Sequence, residues 1–235
     1  MVVMIILTVL AVGLNFLVRN NSFYWDTVQL ASKQDHFFYE NGFGSFILPP
    51  EIDSGHPPTF GALLAFLWLT FGKTLAVSHF MVLPFSIGIL WLAYSIGKYY
   101  LGEWSIAFPI LCFLDPTLSA QTILVSPDVL VIFFFLLCWY SIIYDREKLL
   151  AAGVMALGIL SMRGMMIAFA LFIFSLLRKT KTIGNLNHVI DKLVPFIPGG
   201  ALALGFLITH YSITGWIGYH GDSPWAESFA SVSFT

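Results

Sequence analysis

Of the 235 residues 58% are hydrophobic and 10% charged, and the mean hydropathy is +0.84; soluble domains are about half apolar and a quarter charged, so a water-soluble globular chain is excluded. The formal net charge of −2 gives no basic footprint for a nucleic-acid partner. The 23 Phe, 9 Tyr and 7 Trp supply rings of the kind that settle at bilayer headgroups, and Cys112 and Cys138 lie inside apolar runs, as small hydrophobes rather than ligands or disulfide partners.

In chain order, apolar runs predict spans over 1–18, 80–97, 104–123, 128–144, 149–162, 164–178 and 193–213, about seven in all. Met1 to Leu17 has neither a basic n-region nor a small-residue cleavage site after it, which makes it a first span rather than a removable signal. The runs 149–162 and 164–178 are read as two short spans meeting at Arg163-Gly164, because one continuous helix would place Arg163 in hydrocarbon at a cost of about 3 kcal/mol. The expected fold is an all-α polytopic membrane protein. It forms one transmembrane domain over 1–235, expected to be the N-terminal part of a longer protein, with a long first outer loop over 19–79 that carries interfacial helices.

Within that loop, Asp26-Thr27-Val28-Gln29 has the spacing of a helix N-cap, predicting a helix from Asp26 to about Tyr39 that stops at Asn41-Gly42. His56-Pro57-Pro58 sets two prolines before an apolar segment from Thr59 to Phe71, which is short for a span and suits a helix lying in the interface or dipping into it. The segment from Ser223-Pro224-Trp225 to Thr235 is neither a span nor a typical polar tail, and an odd span count leaves it outside. With the N-terminus inside, Lys98, Arg146, Lys148, Arg178, Lys179, Lys181 and Lys192 are cytoplasmic, against Arg19, Lys33, Lys73 and Arg163 outside, as the positive-inside rule requires. Nine of the 13 acids fall on the outer side, so chemistry that needs carboxylates would face outward.

Four elements in order carry a resemblance: Trp25-Asp26-Thr27 after the first span, Asp53-Ser54-Gly55-His56-Pro57-Pro58, Pro127-Asp128 opening a Phe-rich span, and Ser161-Met162-Arg163-Gly164. Together they resemble the polyprenyl-phosphate-dependent glycosyltransferases of the C-type superfamily, such as the aminoarabinose lipid A transferase and the protein O-mannosyltransferases. No single motif is highly specific; the order of the four with this topology carries the likeness, over nearly the whole chain. The resemblance implies transfer of a sugar, with inversion, from a polyprenyl-phosphate donor to a glycan, lipid or protein acceptor. It implies no obligatory metal or other cofactor, a multi-pass protein of the bacterial inner (plasma) membrane, and a site facing outward.

By the same likeness Asp26 stands where the family carries an essential carboxylate, able to take the proton of an attacking hydroxyl, while the residues alone equally allow a helix cap. Asp128 matches a second outer acid; alone, it is also an anion favoured at a helix N-terminus. Arg163 matches a basic residue able to grip a phosphate leaving group two-pronged, or it forms a salt bridge to an outer acid such as Asp128. His56, where the aminoarabinose transferase has Glu-Lys-Pro-Pro rather than Gly-His-Pro-Pro, could contact phosphate or orient a carboxylate with Asp53 beside it, or the two could merely shape the turn. Trp25, with Phe23 and Tyr24, could stack on a sugar or anchor the interface. His36, His79, His210 and His220 are scattered, and no spacing places metal ligands on one helical face. A transporter, a lipid flippase or a non-catalytic subunit of the same fold are the rival readings. Against transport stands the crowding of acids on one side, where a pathway wants ionisable groups near the midplane.

Overall fold

A computed structural model describes residues 1–24, 27–178 and 186–218. Trp25 and Asp26, Lys179 and Lys181, and the tail expected outside the last span lie outside the described residues. Every regular element among the described residues is helical. They are α1 (Val2–Val18), a π-helical turn (Val28–Ser32) running into α2 (Lys33–Asn41), α3 (Thr59–Phe71), α4 (Leu75–Leu101), α5 (Ala107–Leu114), α6 (Pro116–Ile123), α7 (Pro127–Ile143), α8 (Glu147–Leu160), α9 (Met162–Leu177), α10 (Leu186–Leu193) and α11 (Ile197–Thr214).

The boundaries follow local chemistry. Gly42 at φ 75° ends α2, as Asn41-Gly42 predicts. Pro58 precedes the first residue of α3. Asp115 caps α6 by accepting from the Leu118 amide at 2.7 Å, with Pro116 at its first position. Ser126 and Ser161 do the same for α7 and α9, accepting from the Asp128 and Gly164 amides.

Long-range contacts make the chain fold back on itself repeatedly. Gly97 of α4 approaches Ser105 and Phe108 so closely that a β-carbon there would lie 2.7 Å from the Ser105 carbonyl oxygen, so the chain reverses around Gly102. Farther along the same pair, Ser86 donates to the Thr122 carbonyl at 3.0 Å, and His79 sets Nδ1 3.2 Å from the Ile123 carbonyl and Nε2 3.1 Å from that of Asn21. Asn15 of α1 donates to the His79 carbonyl at 2.9 Å, so one buried knot joins the end of α1, the start of α4 and the end of α6. At the opposite end of the bundle Arg178 donates to the last carbonyls of α7, Ile142 and Ile143, and to the Tyr99 hydroxyl.

The main core joins α3, α4, α7, α8 and α9 through buried Phe60, Leu64, Val82, Ile89, Val129 and Leu157. Outside it, Ile5, Val9, Phe16, Phe169, Leu204 and Ile208 are exposed apolar side chains on α1, α9 and α11. In water such a surface is unfavourable by roughly 1.5–3 kcal/mol per large side chain, whereas lipid tails accept it.

Two helical stretches, Leu75–Leu114 and Ile190–Thr214, are long and apolar enough to cross a membrane, and α6 with α7, bent by 115°, makes a third if taken as one span. Within the first stretch α4 alone, 27 residues long, rises about 40 Å. Among the described residues the protein is therefore all-helical with two or three candidate spans, not the seven expected. The break expected near Arg163-Gly164 is present, at extended Ser161, but the pieces are short: α8 and α9 have 14 and 16 residues, Asp115-Pro116 cuts the 104–123 run, and α1 stops after 17 residues.

Helices α8 and α11 meet backbone to backbone. A β-carbon on Gly158 would lie 2.6 Å from the Gly199 carbonyl oxygen, and one on Gly199 2.6 Å from that of Val154, so the contact exists only because both residues lack side chains. Gly200, next in sequence, has nothing within 4 Å of where its β-carbon would stand. Gly199→Val is expected to cost at least the 1–3 kcal/mol of an overpacked core and to lower the thermal midpoint in detergent, while Gly200→Ala leaves it unchanged. Equal midpoints for the two variants would show that α8 and α11 do not pack through these glycines.

Candidate functional site

Where α7 and α9 begin, a narrow cleft with only about 10 Å³ of cavity volume lies under the loop before α3, lined by Gln34, His56, Asp128, Ser161 and Arg163 with Leu30, Pro57 and Phe60. The two helices start at the same level because α8 runs back between them. Arg163 Nη1 lies 3.0 Å from Asp128 Oδ1, with Arg163 56% and Asp128 28% exposed. This is the outer-acid salt bridge that the sequence held open as one role of Arg163. Neither side chain has another hydrogen-bond partner among the described residues, so the remaining N–H groups of the guanidinium are unfilled there.

His56 comes from the loop before α3. Its Nδ1 accepts the Met162 amide hydrogen at 3.3 Å, which occupies the lone pair of that nitrogen and leaves the proton on Nε2. Burial, and then the Arg163 charge, lower the pKa of the ring below its usual value, opposed by Asp128 and Asp53. His56 is thus a neutral ring whose Nε2–H is a donor without a partner among the described residues.

Of the two roles left open for Asp53, contact with substrate or shaping the turn, its surroundings match the second. It is buried, with Oδ1 accepting from the Gly55 amide at 2.8 Å and Oδ2 2.9 Å from Nε2 of His210, itself buried near the end of α11. His210 sets its other nitrogen 3.0 Å from the Trp216 carbonyl. Gly55 at φ +73° presses against the Trp216 ring and Gly218, where a β-carbon would stand 2.9 Å from the ring. This clasp holds the loop that presents His56. His210 was one of the scattered histidines, and nothing in the sequence pairs it with an acid 157 residues away. Gln34 and Ser161 line the cleft without having been singled out as contacts; only the polar character of Gln34 within the Phe-rich α2 segment hints at it.

The segment that follows Asp26 lies across the same loop. Thr27 Oγ1 accepts from the Tyr24 amide at 2.8 Å, Gln29 donates to the Ile52 carbonyl at 3.2 Å, and Gln34 reaches Ser54 Oγ at 3.5 Å. The structure therefore brings together Asp128, Arg163 and His56 and sets Asp53 behind them. Asp26 and Trp25 fall outside the described residues. Among the described residues no three His, Cys, Asp or Glu side chains converge closely enough to hold a metal ion. No protein-family profile, curated protein or solved structure matches the chain.

Beside Gln34, Asp35 is fully buried; Oδ1 lies 2.9 Å from Nδ1 of His36, while Oδ2 has no hydrogen-bond partner among the described residues. Burial pushes its pKa up from 3.8 to about 7, against the pull of His36 and Lys73. A carboxyl that holds its proton more tightly folded than unfolded stabilises the fold at low pH. That contribution is lost as pH rises from about 4 through about 7, and is constant above. Asp35→Asn removes the ionisable group, so the thermal midpoint of the variant, relative to the parent in detergent, is expected to climb as pH is raised across that window. A midpoint difference that does not change between pH 4 and pH 8 would falsify the assignment of a protonated Asp35.

Proposed function

We propose that the chain is a membrane glycosyltransferase that moves a sugar from a polyprenyl-phosphate donor to an acceptor hydroxyl. The observation that carries this reading is the meeting of Arg163, Asp128 and His56 in one cleft at the end of the bundle that bears the outer loop. Arg163 offers a fixed cation with unfilled donors, and His56 adds a neutral N–H beside it. The helix N-termini of α7 and α9 add about half a positive charge each. That set of groups suits the phosphate of a lipid-linked sugar. In this reading the bundle sits in the bilayer through its two or three candidate spans, with the loop-bearing end at one face. Arg146, Lys148, Arg178 and Lys192 then face the cytoplasm, and the cleft faces outward. A lipid donor fits that orientation, in a bacterial inner (plasma) membrane, because nucleotide sugars are confined to the cytoplasm.

The acceptor oxygen attacks the anomeric carbon, forming the new glycosidic bond as the bond from that carbon to the phosphate oxygen breaks. The electron pair leaves with the phosphate, where Arg163 and the Nε2–H of His56 take up the developing charge. The hydroxyl proton goes to a carboxylate, for which we assign Asp26, with Asp128 as the second acid that positions acceptor or sugar. The acceptor is a glycan, a lipid or a protein.

Purified full chain reconstituted with polyprenyl-phosphate sugar and acceptor tests this. Asp26→Asn and Arg163→Gln are each expected to lower transfer by at least about 100-fold, the size of a lost base or a lost charge contact, with unchanged thermal midpoints. Undiminished turnover in either variant removes that residue from the mechanism. Solute or lipid flux across liposomes by a chain that transfers no sugar would establish a transporter or flippase instead.

A further inference from the structure

Resting on the reading of the cleft as a phosphate site, we infer that Asp128 is a tethered substitute for the ligand's phosphate, which must be displaced from Arg163 before the site can work. The ion pair closes the cleft on itself: the carboxylate sits 3.0 Å from the guanidinium that the phosphate needs, and both side chains line the same space. Two anions within hydrogen-bond reach of one guanidinium repel each other. A phosphate gripped two-pronged by Arg163 therefore takes over the Nη1 donor that Asp128 now holds. The exchange is balanced in charge, because a sugar-linked prenyl phosphate is a diester with a single negative charge, as is the carboxylate it replaces. It is also easy, since a pair as open to solvent as this one is weak.

The displaced carboxylate stays at the second position of α7, where the helix N-terminus and the Ser126 cap keep it at the cleft wall. It then has two oxygens available to a hydroxyl. The phosphate-bearing substrate thus binds first and its arrival creates the acceptor's contact; without it Asp128 is occupied.

Binding of farnesyl phosphate as its singly charged methyl diester to the full chain in detergent, followed by ³¹P NMR titration, tests the exchange, with inorganic phosphate as the second probe. Removing the internal competitor in Asp128→Asn or Asp128→Ser is expected to tighten binding of the farnesyl diester by about fivefold, the strength of an open ion pair. Arg163→Gln should abolish it in either background. Two variants are used so that one failure to fold does not decide the matter. Binding that depends on Arg163 but is unchanged or weakened in both Asp128 variants overturns the displacement and leaves the phosphate site standing. Binding indifferent to Arg163 overturns the phosphate site itself. Inorganic phosphate bound as tightly as the farnesyl diester overturns a lipid-linked ligand in favour of a free anion.

Discussion

A guanidinium at the rim of an apolar bundle has to be matched by negative charge, and the pairing of Arg163 with Asp128 is the constraint around which the outer end is arranged. The two residues are 35 positions apart and each sits in the first turn of its helix. They can meet only if α7 and α9 start level, which requires α8 to return the chain over a matching height. The serine caps before each helix fix those starts, and Gly164, packed against the Leu157 carbonyl, lets α9 turn tightly back on α8. The pair itself adds little to stability: half-exposed ion pairs are worth about 0.2–1 kcal/mol, less than one buried leucine. What keeps the geometry is the apolar packing beneath it, so the charges are left open to a ligand.

Over this rim lies a loop that would have no reason to stay in place without a second polar joint. Asp53 and His210 supply it, with Gly55 fitted against Trp216 and the Gln29 and Gln34 side chains tied to Ile52 and Ser54. Through these contacts three distant parts of the chain converge on one turn: the segment after α1, the turn before α3, and the end of α11. His56 stands at the end of that turn, and its hydrogen bond from the Met162 amide spends one of the unpaired donors at the start of α9 on fixing the ring. The loop is thus held from behind by a buried acid and histidine, while its front faces the cleft.

Much of this was legible in local patterns. Asn41-Gly42 and His56-Pro57-Pro58 marked where helices stop and start, because glycine and proline act through the backbone of their own residue. Arg163 and Asp128 were visible as charges that an apolar chain must justify, and the salt bridge between them was one of two roles the residues allowed. The span count was not legible, since hydropathy averages over a window and does not register that Asp115-Pro116 cuts the 104–123 run or that α1, α8 and α9 are only 17, 14 and 16 residues long. Asp53 paired with His210 was not legible either: two polar residues brought together across 157 positions leave no periodic trace. Nothing in the sequence marks Asp35 as buried; the packing of α2 on Gly61 of α3 makes it so.

Charge explains why the parts are combined in these proportions. With Arg163 and Asp128 cancelling and His56 neutral, the side chains of the cleft carry no net charge, and what remains is the partial positive charge of two helix N-termini, together about one unit. A protonated His56 would add a second full cation, which would hold a phosphate monoester as firmly as a diester and slow its departure. Keeping the ring neutral by burial confines the full positive charge to Arg163. A cleft with about one unit of excess positive potential is matched to a singly charged phosphodiester; under the proposed function, the doubly charged monoester that transfer would release exceeds what the cleft can neutralise.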